Sequence, residues 1–162
     1  FYTRIAFRKS AFTEKKIQTF IAQKNDEYFS EAEIFSSQYL AYLKSQNIPV
    51  SFAIDGYLKM CADMVNCQLF FMLTGKYPKE NNYKFIGNRD NEKEMKSYMI
   101  GLALSQFLWS THFEMYSFFK MHVRKFSKKI EKYLEIGPGH GLFFKAAIAL
   151  VKKNRIYYWR YQ

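Results

Sequence analysis

The sequence predicts a mostly α-helical N-terminal segment followed by the opening of a parallel α/β unit. Two observations carry this. Apolar residues recur at helical spacing, period 3.6, over most of the first 123 residues. Past residue 132 the pattern changes to a short strand-like run, a glycine-rich turn, a compact apolar helix and a second strand-like run. The expected division is therefore a helical region over 1–130 and a strand–loop–helix–strand unit over 131–162.

The elements follow in order. Residues 13–24 form a first amphipathic helix, with Thr13 as N-cap and Ile17, Phe20 and Ile21 on one face. A second helix fits 30–46. Ser30 followed by Glu33 makes a capping-box pattern, Ile34, Phe35, Tyr39, Leu40, Tyr42 and Leu43 supply an apolar face, and Asn47-Ile48-Pro49 ends it. Ser51–Thr74 is a third helical stretch, with Leu58, Met60, Met64, Leu69 and Phe70 among its apolar positions and Gly75 as its stop. Residues 76–93 are polar, with Pro78 and Gly87, and predict a loop. Further helices fit Lys93 to about Ser110 and Thr111 to about Val123. A basic stretch over 120–132 sets Lys120, Arg124, Lys125, Lys128, Lys129 and Lys132 against Glu131. Tyr133–Ile136 then reads as a strand, Leu142 to about Lys153 as a helix, and Ile156–Tyr161 as a second strand.

The turn between the first strand and its helix is the most specific feature. Gly137, Gly139 and Gly141 alternate directly after the strand, with Pro138 stiffening the turn by fixing φ. A ligand can approach backbone closely only where side chains are absent, and the N-terminus of the following helix presents N–H groups and partial positive charge. A dinucleotide fingerprint, Gly-x-Gly-x-x-Gly, needs glycine at the position Leu142 occupies, so the spacing disfavours it. An acid two residues before the first glycine, Glu135, completes Glu-x-Gly-x-Gly-x-Gly after an apolar strand.

That pattern resembles motif I of the class I S-adenosylmethionine-dependent methyltransferases, over about residues 133–153. The resemblance implies a Rossmann-like α/β methyltransferase domain whose first βαβ unit lies here, and S-adenosyl-L-methionine as cofactor. It further implies that Gly137, Pro138, Gly139 and Gly141 form the cofactor loop, that Glu135 anchors the amino-acid end of the cofactor, and that His140 occupies a variable position of that cofactor-binding loop. The chain departs from the family in two ways. The residues after Gly141 leave room for one helix and at most one more strand, so the later strands are expected to be absent and the domain truncated. The family also places an acid at the end of the second strand, on the ribose hydroxyls, and Arg155 to Gln162 contains none. The expectation is weak or no cofactor binding and no catalysis by this chain alone. Phe rather than Met at position 1 also suggests a fragment or trimmed product.

The helical region would then be a cap or substrate-selecting extension. Its candidates are His112, which can exchange a proton near neutral pH, and the neighbouring Trp109, within the cluster Tyr98–His112; a second cluster is Tyr116-Ser117-Phe118-Phe119. For each of these the plainer role is a core or boundary side chain with a satisfied hydrogen bond. No residue is assigned as general base, and the methyl acceptor is not identified.

Composition bounds the alternatives. Hydrophobic residues at 49% and charged residues at 24% fit a folded chain. Seventeen Phe and thirteen Tyr allow a packed interior without disulfides. Cys61 and Cys67 do not match a CxxC spacing, which argues against a metal or redox site; they read as small buried hydrophobes, and their scarcity suits a reducing, cytoplasmic location. Arg4, Arg8 and Lys9 interrupt the start, so no signal peptide is expected, and the longest apolar run, Met99–Trp109, is too short to span a bilayer. A net charge of +11 favours anionic partners. It motivates the alternative of a basic, aromatic-rich helical interaction or nucleic-acid-binding module without catalysis, although no RNP, helix-turn-helix or zinc signature accompanies it.

Overall fold

The computed structural model describes residues 11–77, 91–151 and 155–159. Among them run α1 (Ala11–Ala22), α2 (Asp26–Ser45), α3 (Val50–Thr74), α4 (Glu92–Leu108), α5 (Ser110–Phe126), β1 (Lys132–Ile136), α6 (Leu142–Leu150) and β2 (Arg155–Trp159). The chain is mostly helical and divides into two compact units, Phe1–Ser105 and Gln106–Gln162. Most of the loop expected over 76–93, and the expected ends of the last helix and strand, lie outside the described residues.

In the first unit three helix ends are set by asparagines. Asn25, with extended φ −93° and ψ 174°, accepts the Tyr28 N–H on its side chain, and Asp26 and Glu27 complement the positive end of the helix dipole. Helix α2 therefore starts four residues before the expected Ser30, whose capping box is unused because Ser30 already lies inside the helix. Its C-terminus closes on Asn47, the one non-glycine residue with positive φ (53°) among the described residues. The Asn47 N–H donates to the Lys44 carbonyl at 3.1 Å and the Ile48 N–H to the Leu43 carbonyl at 2.9 Å. These are the paired bonds of a Schellman stop, and Pro49 blocks continuation. Asn91 caps α4 by accepting the Glu94 N–H. Gly75, at φ 66°, ends α3 as expected.

The core of this unit is Ile17 of α1, Tyr28, Tyr39 and Leu43 of α2, Ala53, Ile54, Tyr57 and Met60 of α3, and Ile100, Ala103 and Leu104 of α4. Only part of the expected apolar face of α2 is covered: Ile34, Leu40 and Tyr42 are exposed, as are Met64 and Leu69 in the second half of α3. Tyr39 Oη donates to the Ile100 carbonyl at 2.7 Å, satisfying a buried hydroxyl. Helices α3 and α4 meet backbone to backbone at Gly56 and Gly101. A Cβ on Gly56 would lie 2.5 Å from the Ser97 carbonyl oxygen, and one on Gly101 would strike the Tyr57 nitrogen and the Gly56 carbonyl carbon. Cys61 and Cys67 are free thiols and half-buried rather than fully buried, because the second half of α3 runs out of the core.

In the second unit the break between α4 and α5 falls at Trp109, whose φ −119° and ψ 128° are extended. Buried Gln106 spans the break, its Nε2 donating to the His112 carbonyl. Helix α5, which composition groups with the preceding helices, packs in this unit through aromatic rings. Tyr116 meets Phe143 at 5.4 Å between centroids, and Phe119 meets Phe143 at 5.0 Å and Tyr133 at 6.3 Å. Strands β1 and β2 pair in parallel, with Leu134 opposite Tyr157 and Ile136 opposite Trp159, and α6 lies between them in sequence. Alternation along β1 turns Tyr133 and Glu135 to the half-buried side. Leu134 and Ile136 on the other side are 59% and 71% exposed, and Tyr157 is 48% exposed.

Candidate glycine-loop site

The loop joins β1 to α6. All three of its glycines have left-handed φ: 65° at Gly137, 55° at Gly139 and 77° at Gly141. An L-residue there costs roughly 1–2 kcal/mol, so glycine is required by dihedral and not by crowding. A Cβ on Gly137 or Gly141 would meet nothing within 4 Å, and one on Gly139 would touch only the Gly137 carbonyl oxygen at 4.0 Å. The Gly141 N–H closes the turn on the Pro138 carbonyl at 2.8 Å.

Gly141 is also the N-cap of α6, and glycine has no side chain to satisfy the first N–H groups of the helix. His140 does this from one residue earlier: its Nδ1 accepts the Leu142 N–H at 3.2 Å. An accepting Nδ1 makes the ring neutral, with its proton on Nε2. Burial holds the His140 pKa below its ordinary value, and the neighbouring His112 lowers it further by like-charge repulsion. The imidazole is thus a fixed part of the loop and an uncharged one near pH 7. It faces Phe143 at 6.5 Å between centroids.

Glu135 is held from its own strand. Tyr133, two residues earlier on the same side, donates from Oη to Glu135 Oε2 at 2.7 Å. Burial raises the Tyr133 pKa, and the hydrogen bond and negative charge of Glu135 raise it further, so the phenol stays a donor throughout the neutral range. One hydroxyl fills one of the roughly four acceptor positions of a carboxylate and leaves capacity for a cation.

His112 and Trp109 come together, with ring centroids 4.8 Å apart and a 46° tilt. Burial lowers the His112 pKa, and a positive charge on His112 disfavours protonation of His140. Of the second cluster, Tyr116 is buried and Phe119 packs against Phe143, so both support α6, whereas Phe118 points outward. His122 lies along α5, its Nδ1 2.9 Å from the Phe118 carbonyl oxygen. Nothing in the sequence names Phe143 as the hub of the rings, whereas the i, i+2 spacing on a strand is the signal that pairs Tyr133 with Glu135.

Among the described residues, no group of three or more His, Cys, Asp or Glu is placed to hold a metal, and no helix is long and apolar enough to cross a membrane. In the first unit a cleft of about 300 Å³ is lined by Phe52, Gly56, Asp63, Glu94, Ser97 and Tyr98, among others; it shares no residue with the glycine loop. No protein-family description, curated protein or solved structure matches this chain.

Proposed function

We propose that Glu135–Gly141 is the S-adenosyl-L-methionine-binding loop of a class I, Rossmann-like methyltransferase. The observation that carries this reading is the left-handed φ of all three motif glycines between a parallel strand and the helix it feeds. That is the conformation in which backbone, not side chains, faces a ligand at a helix N-terminus.

The residues present fit the amino-acid end of the cofactor. Glu135, oriented by Tyr133, has acceptor capacity for an ammonium group, and the space beside Gly137 and Gly141 admits close approach. The ribose end is less well provided for, since β2, Arg155–Trp159, contains no acid to receive hydroxyls. When bound, the cofactor supplies a methyl group on a positively charged sulfur. The part of this chain is to bind and orient: Glu135 by charge, the glycines by their absence of side chains, His140 by fixing the loop to α6, and His112 with Trp109 as the candidates for the acceptor side. The acceptor itself is unassigned.

The test is amide chemical-shift mapping with S-adenosylmethionine at millimolar concentration, which detects weak binding. The expected result is movement of the Gly137, Gly139 and Gly141 amides in the parent chain and none in Gly139→Arg. Loop amides that stay fixed in the parent while the protein is folded would remove the assignment.

A further inference from the structure

Helix α5 has two faces of different use. Tyr116 and Val123 are buried and Phe119 joins the ring cluster, so this side holds the second unit together. The other side is apolar without being covered: Met115 is 55% exposed, Phe118 62%, Met121 58% and Phe126 44%. At about 100° per residue Phe118 stands nearly opposite Tyr116, with Met115 and Met121 flanking it. Arg124, Lys125, Lys128, Lys129 and Lys132 follow, all of them solvent-exposed. Glu114 and Glu131 are the acids of the whole stretch 110–132.

We propose that this face of α5, with the basic turn after it, docks on an anionic lipid surface. An in-plane amphipathic helix needs large apolar side chains to enter the boundary between headgroups and acyl chains, and cations to meet the lipid phosphates. Lys125, seven residues after Phe118, shares the apolar side of the helix, and further exposed cations follow its C-terminal end. Charge complementarity selects the occupant. A two-fold contact with a second copy would bring together two surfaces of the same net positive charge. A nucleic acid would use the cations but would leave Met115 and Met121, which have no ring to stack on a base, without a role. A lipid surface uses all of them. The helix would lie along the membrane, consistent with no described helix being apolar enough to cross it. This inference stands apart from the methyltransferase reading, since none of these residues belongs to the glycine loop.

The experiment is flotation of the full chain with vesicles of phosphatidylcholine alone and of phosphatidylcholine mixed with phosphatidylglycerol, at physiological salt. The chain is expected to float with the mixed vesicles and not with the neutral ones. Phe118→Ser with Met121→Ser should weaken binding on the order of tenfold. Lys125→Glu with Lys128→Glu and Lys129→Glu should weaken it about a hundredfold or more. The substituted side chains are exposed, so unchanged circular dichroism verifies the fold. Equal flotation with both vesicle types, or with neither, overturns the proposal. So does a serine variant that binds like the parent while the charge-reversed variant fails; that result would show attraction by charge alone, with the apolar face of α5 outside the lipid.

Discussion

Glycine serves opposite purposes in the two units. At Gly56 and Gly101 the chain is helical and the difficulty is room: a single added carbon collides with backbone of the facing helix. At Gly137, Gly139 and Gly141 there is room, and the difficulty is the dihedral, since each φ lies between 55° and 77°. The lesson is that the same residue type marks a structural crossing in one place and a candidate ligand cradle in the other. Size and backbone preference can be varied separately to tell them apart.

The largest effect is expected at the crossing. In Gly101→Ala the obstructing atoms are backbone and cannot rotate away, so overpacking costs about 3 kcal/mol, offset by about 1 kcal/mol of helix propensity, for a net loss of about 2 kcal/mol. Gly101→Asn should be worse, being larger. In the loop the order should reverse: Gly141→Ala costs about 1–2 kcal/mol, and Gly141→Asn less, because asparagine tolerates left-handed φ. Amide hydrogen exchange in α3 and in α6 separately reads both pairs. An Ala/Asn order that is the same at the two sites would collapse the distinction.

Smaller effects refine the loop side. His140→Ala removes the side-chain acceptor at the start of α6 and should cost about 1 kcal/mol, visible as faster exchange of the first α6 amides. His140→Asn, whose Oδ1 can replace the accepting Nδ1, should retain most of the protection. The smallest expected effect is that of pH. Because the folded pKa of His140 lies below the ordinary value of 6.5, the unfolded chain binds more protons in the interval between the two. The neutral ring's contribution is complete above 6.5 and is lost as pH falls through the folded pKa. His112, also lowered, acts in the same direction. Stability of the second unit measured from pH 7.5 down should therefore fall in acid, and His140→Asn should flatten the fall in part. A rise in stability over that interval would contradict the cap.

Much of this architecture was legible in the residues, and the failures have causes. The order of helices, the stop at Gly75 and the strand–loop–helix–strand order follow from periodicity and punctuation. The start of α2 differs from the expected one because Ser30 and Glu33 match a capping box that competes with Asn25 and its two following acids; only the geometry shows that Asn25 reaches the Tyr28 N–H. The glycine crossing was hidden because an isolated glycine inside a helical pattern names no partner, and Gly56 and Gly101 are far apart in sequence. In the loop, the backbone roles of the glycines could be read from alternation alone. The direction of the His140 ring could not, since it depends on the φ values of its neighbours. Likewise the sequence from Thr111 to about Val123 predicts a helix, but which side of α5 faces the rings of the second unit is decided by Phe143 and Tyr133, later in the chain.

The bare side of the strand pair has a practical consequence. Leu134, Ile136 and Tyr157 present a continuous oily strip to solvent. Its attraction for another such strip strengthens on warming and in sulfate and weakens in dilute urea. Solutions of this protein should therefore cloud when heated or salted at temperatures where its helices are still intact, and clear again on chilling.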